Sequence, residues 1–182
     1  MARAGFDMLP FNAVAIADLR SSSRAVSALQ PIGDFRFTPY RRVLIGSVPG
    51  EASCWLTDHW SSDRDAFAPV IRLTPLERVV PFARDDVTEE LCCALEGAGP
   101  RVAGKSFHVR ARLRGLTGRV DKTAVERALG AYLLDLAEAA GEPARVTFSN
   151  PDFVFVVEVI GKRVGYGFLG REVRALPLVR PR

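Results

Sequence analysis

The sequence contains few of the residues that build disulfide frameworks and metal centres. It has three cysteines among 182 residues, Cys54, Cys92 and Cys93, and only two histidines, His59 and His108. An odd number of cysteines, two of them adjacent, gives neither a set of disulfides nor a Cys-x-x-Cys metal motif. We therefore expect a reduced compartment and no metal site, with one thiol of the adjacent pair packed in a core and the other beside it.

Long hydrophobic runs are also absent. The longest apolar stretches are strand-sized, such as residues 153–157, whereas a membrane span needs roughly 18 apolar residues. The first ten residues lack the apolar segment and the small-residue cleavage site of a signal peptide. Because 48% of the residues are hydrophobic, the chain can still bury a core, and we expect a folded cytoplasmic protein that has no membrane partner.

Asn, Gln and Lys are scarce, so arginine supplies most of the positive charge, which is unevenly spread. Residues 1–99 carry 10 Lys and Arg against 13 Asp and Glu, a balance of −3. Residues 100–182 carry 15 against 8, a balance of +7. Surface charge is often merely solvated, but this asymmetry predicts that a polyanion, if one is bound, docks on the second half of the chain.

The patterns of strands and helices divide the chain into two α/β domains, an N-terminal one at residues 1–73 and a C-terminal one at residues 74–182. The sequence contains no evident internal repeat, and no long linker joins the two domains. In the N-terminal domain we predict strands at 11–17, 34–38 and 42–48 and helices at 21–29 and 51–60.

The C-terminal domain contains a strand with strictly alternating polarity. From Phe107 to Arg114 every second residue is apolar, and the residues between them are His108, Arg110, Arg112 and Arg114. Side chains alternate across a strand, so one face packs on a core and the other carries a row of guanidinium groups about 7 Å apart. Such a row could follow the phosphates of a nucleic acid.

Other segments complete a β-α-β-β order after residue 100. A predicted strand at 76–82 and a helix capped by Asp86 come before this segment. The elements predicted after residue 114 are a helix capped by Asp121, strands at 145–148 and 153–160, and a hairpin to a strand at 163–169. An Asn-Pro-Asp turn, Asn150 to Asp152, precedes the buried strand. Since proline restricts the residue before it, we expect Asn150 to be extended and the turn to be rigid and exposed.

The C-terminal half resembles the THUMP domain, an ancillary RNA-binding module of several tRNA-modifying enzymes. The resemblance rests on Lys105-Ser106-Phe107-His108-Val109-Arg110-Ala111-Arg112, on the helix from Asp121, and on Asn150-Pro151-Asp152 before a strand that ends in Val-Glu-Val. The stretch from Leu76 to Pro81 is similar to one branch, the THUMP-only adaptors that assist tRNA cytidine acetylation. In that branch the adaptor holds tRNA while a separate acetyltransferase forms 4-acetylcytidine.

The resemblance implies a tRNA-binding protein without an active site or cofactor. The residues expected to contact RNA are Lys105, Arg110, Arg112, Arg114, Arg119, Lys122, Asn150, Arg163 and Arg171. Arg163 and Arg171 belong to this surface only if the C-terminal hairpin lies beside the cationic strand. The phosphate backbone would then be recognised through shape and charge. A tRNA acetyltransferase is a possible partner, and the oligomeric state is open.

The catalytic motifs of the enzymes in this family are missing from the sequence. A 4-thiouridine synthetase needs a Ser-Gly-Gly-x-Asp-Ser loop, a guanosine methyltransferase an Asn/Asp-Pro-Pro-Tyr motif, and a deaminase a His-x-Glu with a Cys-x-x-Cys, and none occurs. His59, near Cys54 and Asp58, fits packing and surface better than a catalytic group. The alternatives are a protein-interaction module of an RNA-processing complex and a stand-alone RNA-binding protein.

Overall fold

The structure, a computed structural model, describes residues 10–82, 87–116 and 118–179. The chain forms two compact units, of which the first comprises residues up to Val79 and again from Glu172, and the second runs from Val80 to Arg171. The division expected from the sequence lay after residue 73 and kept the C-terminal residues in the second domain. Both units combine helices with a sheet, which confirms the α/β class.

The first unit is built on an antiparallel sheet. Its elements are β1 (Ala13–Ala17), α1 (Ser22–Leu29), β2 (Asp34–Phe37), β3 (Val43–Ser47), α2 (Ala52–Ser62), a short 3-10 helix (Arg64–Phe67) and β4 (Val70–Pro75). The four strands lie in the order β2-β3-β1-β4. With the chain order β-α-β-β-α-β, this is the ferredoxin-like arrangement. Almost all of the central strand β1 is buried, which its run of small and β-branched residues allows.

The sequence pattern does not predict β4. Strict alternation of polarity is lost along this strand, because its register with β1 shifts between Ile16 and Ala17. The strand predicted at 76–82 is shorter in the structure, where β5 covers only Arg78–Pro81. Between the two strands, the Leu76 amide donates to the Asn12 carbonyl at 2.8 Å.

The second unit contains a five-stranded mixed sheet. Besides β5, its elements are α3 (Val87–Ala94), α4 (Gly99–Val102), β6 (Ser106–Arg114), α5 (Lys122–Ala139), β7 (Arg145–Val146), β8 (Phe153–Ile160) and β9 (Arg163–Gly170), and α6 (Arg171–Ala175) follows β9 directly. The strand order is β5-β9-β8-β6-β7. β6 runs parallel to β7 and β8, and β9 is antiparallel to β8.

One face of this sheet packs against α3 and α5. Phe107, Val109 and Ala111 of β6 are buried in a single cluster with the apolar residues of both helices. The alternate residues of β8, from Phe153 to Val159, belong to the same cluster. The apolar face that the alternation of β6 predicts is therefore covered by α5, whose side chains Val125, Leu129 and Leu133 recur at helical spacing.

The start of α5 confirms the predicted cap. The Asp121 carboxylate accepts the Thr123 amide at 2.8 Å, and α5 then continues for 18 residues. The predicted cap at Asp86 lies outside the described residues, and α4 was not expected, although Pro100 in its first turn suits a helix start. Within the described part of the chain, no helix is long and apolar enough to cross a membrane.

Candidate nucleic-acid interface

The arginine row on β6 is less open than its alternation predicts. β6 and β8 pair in parallel register, which places Arg112 opposite Glu158. Arg112 donates to one oxygen of that carboxylate at 3.2 Å, and Arg114 forms a close ion pair with the other oxygen. The Glu158 side chain is fully buried, whereas the arginine side chains are 13% and 17% exposed. These two guanidinium groups therefore neutralise a buried carboxylate, and their contact with RNA stays a prediction.

Arg110 is arranged differently from the other two. Its guanidinium lies over the Phe148 ring, 5.4 Å from the centroid. It forms no ion pair with any residue that the structure describes, and its buried Nε atom has no hydrogen-bond partner there. Of the three predicted arginines, Arg110 is thus the one whose charge no described carboxylate neutralises.

A network of contacts centred on Asp152 joins the first residues of β6 and β8 to Arg171. The Asp152 carboxylate accepts hydrogen bonds from the Ser106 amide at 2.8 Å and from the Ser106 hydroxyl at 2.7 Å. Its other oxygen binds Arg171 at 2.8 Å, directly after the end of β9. Arg171 also reaches the Pro151 carbonyl at 3.3 Å. One carboxylate thereby connects the start of β6, the start of β8 and the end of β9.

The pKa of Asp152 reflects this arrangement. Hydrogen bonds from the Ser106 hydroxyl and amide lower it most, burial opposes them, and the positive charges of Arg171 and Arg145, each a smaller effect than burial, lower it further. The carboxylate therefore stays ionised at neutral pH and holds Arg171 in place.

A cleft of about 460 Å³ opens beside Asp152. We call it the strand-end cleft, and its lining residues are Arg101, Gly104, Lys105, Asp152, Phe153, Phe168 and Gly170. The Arg101 guanidinium stacks 4.2 Å above the centre of the Phe168 ring. Lys105 is exposed and forms no ion pair with a described residue. The cleft therefore combines cations with an aromatic face.

Gly104, which lines this cleft, has a left-handed backbone that favours glycine. Its φ angle is +69°, and a Cβ atom there would lie 2.6 Å from the Glu142 carboxylate. Its amide donates to the Glu142 carbonyl at 3.0 Å, which fixes the turn before Lys105. A side chain at this position would be strained in the left-handed region and would crowd Glu142 as well.

The expected conformation of Asn150 is wrong. Its φ angle is +45°, in the left-handed region rather than the extended one. Asparagine tolerates this region better than most residues, and here that tolerance outweighs the extended preference of a residue before proline. Asn150 is exposed, whereas Pro151 is buried and Asp152 is partly buried, so the predicted turn is exposed only at its first residue. Its rigidity stays a prediction.

The structure separates the predicted RNA-binding residues into two groups. Lys105, Asn150 and Arg171 lie at the strand-start end of the sheet, where β6 and β8 begin. Arg163 pairs with Ile160 at the opposite, hairpin end of β8, and Ile160 pairs with Arg114. Eight residues of β8 separate the two ends by roughly 23 Å at the strand rise. Arg163 and Arg171 therefore do not extend one patch.

Arg119 and Lys122 lie near the hairpin end, between β6 and the first turn of α5. Arg119 is exposed. Lys122 is 3.4 Å from Glu126 across one helical turn, a contact that is worth little at an exposed site. The candidates that sequence reasoning missed are Arg101, Asp152 and Arg145. Asp152 stood in the Asn-Pro-Asp motif, but only the fold shows that it binds Ser106 and Arg171.

Comparison with known proteins identifies relatives by fold alone. No known protein family matches the sequence, and no curated protein matches it. The chain is similar in structure to PH1313 from Pyrococcus horikoshii Ot3, with a TM-score of 0.54 and 12% identity over 87% of this chain and 54% of that one.

Two further solved structures share the fold. A 4-thiouridine synthetase in complex with RNA and ATP has a TM-score of 0.56 and 15% identity, over 88% of this chain and 42% of that one. TrmN from Thermus thermophilus has a TM-score of 0.56 and 21% identity, over 87% of this chain and 45% of that one. The chain spans about half the length of these proteins. The likeness supports a THUMP-like fold.

Proposed function

We propose that the chain binds RNA, and tRNA in particular, through the strand-end cleft, and that it acts without catalysis as an adaptor for a separate tRNA-modifying enzyme. The observation that carries the proposal is the Asp152 network. It fixes Arg171 beside the cleft through a 2.8 Å ion pair and leaves Lys105 without a carboxylate partner among the described residues.

The chemistry of the strand-end cleft suits an RNA backbone. Arg101, Lys105, Arg145 and Arg171 outnumber the neighbouring carboxylates of Asp152 and Glu142. Guanidinium groups bind phosphate oxygens in pairs, and an arginine stacked on an aromatic ring offers a flat surface to a base. Lys105 adds a mobile charge, and the exposed Asn150 amide supplies a donor and an acceptor close to the turn.

The adaptor part of the proposal rests on the missing catalytic motifs and on the resemblance to the THUMP-only branch. The solved 4-thiouridine synthetase is a complex with RNA, and its fold is shared by most of this chain. We propose an acetyltransferase that forms 4-acetylcytidine as the enzyme served. In cells that lack this chain, 4-acetylcytidine should then disappear from tRNA, as measured by mass spectrometry of its nucleosides.

Binding to purified bulk tRNA at two salt concentrations tests RNA recognition. A matched pair of variants, Lys105→Glu and Lys162→Glu, reverses the same charge at opposite ends of the sheet, since Lys162 lies exposed in the turn between β8 and β9. Lys105→Glu should weaken binding roughly tenfold and lower the salt dependence by about one unit, whereas Lys162→Glu should change either little.

Two other outcomes of this experiment would contradict the proposal. If Lys162→Glu weakens binding as much as Lys105→Glu, then the interface is not the strand-end cleft but a diffuse cationic surface. If neither the original protein nor a variant binds tRNA, the proposal fails and the chain is better explained as a protein-interaction module.

A further inference from the structure

A groove of about 500 Å³ runs along one edge of β6, away from the strand-end cleft. One wall is formed by Gly130, Ala131 and Leu134 of α5, and the other by Val146 at the end of the short strand β7 and by Phe148 after it. Val146 is 46% exposed and Phe148 is 69% exposed. Two large apolar side chains that face solvent beside a groove are typical of an interaction site.

The floor of this groove is the edge of β6 that faces β7, and part of this edge is not paired with a described strand. β7 pairs only with Ser106 and Phe107, and the Thr147 amide then donates to the Phe107 carbonyl at 2.8 Å. Further along, the Ala111 amide is occupied by the Glu126 carboxylate, also at 2.8 Å. Alternate residues of a strand direct their backbone groups to the same edge, so Val109 faces the groove between these two contacts. No described residue is in register with Val109 on that edge.

The groove is kept open by a glycine in the middle of α5. A Cβ atom at Gly130 would meet only the Val109 side chain, at 3.9 Å, so the space above this position is free. Glycine is unfavourable inside a helix by roughly 1 kcal/mol relative to alanine. Here its small size leaves room for a side chain from outside.

Two cations border the groove. The Arg110 guanidinium stacks over Phe148, and Arg127 projects from the exposed face of α5. Neither forms an ion pair with a residue that the structure describes. Glu126 also lines the groove, but its carboxylate accepts the Ala111 amide and lies 3.4 Å from Lys122. Carboxylates of a ligand would therefore find two guanidinium groups that form no ion pair with a described residue.

We propose that this groove binds an extended segment of a protein partner, whose backbone pairs with Val109 as a short added strand. The segment would carry two large apolar side chains two residues apart, since those share a face, and acidic residues beside them. The proposal goes beyond RNA binding, because it assigns a second ligand class to a second site on the same unit.

Other occupants fit the groove less well. An RNA base would lie in a mostly apolar groove, where Val109, Ala131 and Leu134 offer its polar edges no side-chain hydrogen bonds. Only the side chains of His108, Arg110, Thr123, Glu126 and Arg127 could do so. A second copy of the chain, related by a two-fold axis, would bring Arg110 and Arg127 close to the same residues of its partner. A peptide with carboxylates avoids both problems.

Selection from a random dodecapeptide library displayed on phage, with the purified full chain as bait, tests the proposal. Enriched sequences should share two apolar residues in alternation with flanking Asp or Glu. A synthetic peptide of that consensus should bind the chain, as measured by fluorescence anisotropy. Ala131→Glu and Phe148→Ala should each weaken its binding at least tenfold, and Ala131→Lys should strengthen or preserve it at the same exposed helical position.

Lys105→Glu should leave peptide binding unchanged, so the test stays separate from the test of the strand-end cleft. Thermal melts of each variant establish that the fold is retained. Failure to enrich any sequence, or enriched peptides that bind all groove variants equally, would overturn the proposal. Two further results would overturn the proposal. One is binding of a labelled single-stranded decaribonucleotide that depends on Ala131 and Phe148 when peptide binding does not, and the other is a concentration-dependent dimer with that same dependence.

Discussion

The two ends of the sheet in the second unit use arginine for opposite purposes. At the hairpin end, Arg112 and Arg114 each bind one carboxylate oxygen of Glu158, which is fully buried. At the strand-start end, Arg171 binds Asp152, a carboxylate that is 38% exposed, and its own side chain is 56% exposed. The first arrangement stabilises the fold, whereas the second holds charge at the surface. A cationic pattern in the sequence therefore does not by itself locate a binding surface.

The largest effect should come from removing the buried carboxylate. Glu158→Gln leaves two partly buried guanidinium groups without an ionised partner, and breaking a buried ion pair in this way costs about 3–5 kcal/mol. Urea denaturation should show this loss in the free energy of unfolding. A variant that unfolds at the same urea concentration as the original chain would contradict the stabilising role of the ion pairs between Glu158 and the two arginines.

A charge reversal at each end would sharpen the comparison for RNA. Arg171→Glu should weaken tRNA binding roughly tenfold and reduce its salt slope by about one unit, because one phosphate contact is lost. Arg163→Glu, at the hairpin end, should change the affinity less than about twofold. If Arg163→Glu has the larger effect, then the strand-start end is not the interface.

The turns that precede and follow β8 offer a further pair. Asn150 and Gly161 both have left-handed backbones, with φ angles of +45° and +63°. Gly161→Ala should reduce stability by about 1 kcal/mol, since alanine is disfavoured in that region. Asn150→Gly should be close to neutral for thermal stability, and a large loss would indicate that the Asn150 amide holds the turn through contacts of its own.

The smallest effect concerns pH. The folded pKa of Asp152 is lowered by Ser106 and Arg171, so its stabilising contribution is complete above the unfolded pKa and is lost as pH falls through the folded value. The difference in melting temperature between the original chain and Asp152→Asn should therefore shrink as the solution is acidified. A difference that grows toward acid pH would contradict this assignment.

Local patterns predicted much of this unit. The alternation of residues 107–114 corresponds to β6, and the Asp121 cap and the apolar stripe of α5 also follow from neighbours in the sequence. In the first unit, β4 was missed because a register shift with β1 interrupts its alternation. The expectation for Asn150 was wrong because two local preferences compete at that position, and tertiary contacts decide between them.

The candidate site was only partly predictable, for a different reason. The pairing of Glu158 with Arg112 depends on the parallel register of β6 and β8, which connects residues 46 positions apart. The same separation divides Ser106 from Asp152. The sequence shows which residues are basic and, through their spacing, which of them share a face of β6. It does not show which of them already have a carboxylate partner. Phe148 was predicted to end a strand at 145–148, whereas β7 ends at Val146 and Phe148 is 69% exposed.

The Asp152 network also affects when the strand-end cleft can exist during synthesis. Ser106 is the first residue of the network along the chain, Asp152 lies 46 residues later, and Arg171 is the last residue of the second unit. Contacts between such distant residues close late, because the intervening chain must lose its freedom first. A nascent chain that stops before Arg171 lacks one side of the cleft. RNA binding at this cleft would thus report that the whole unit has been translated and folded.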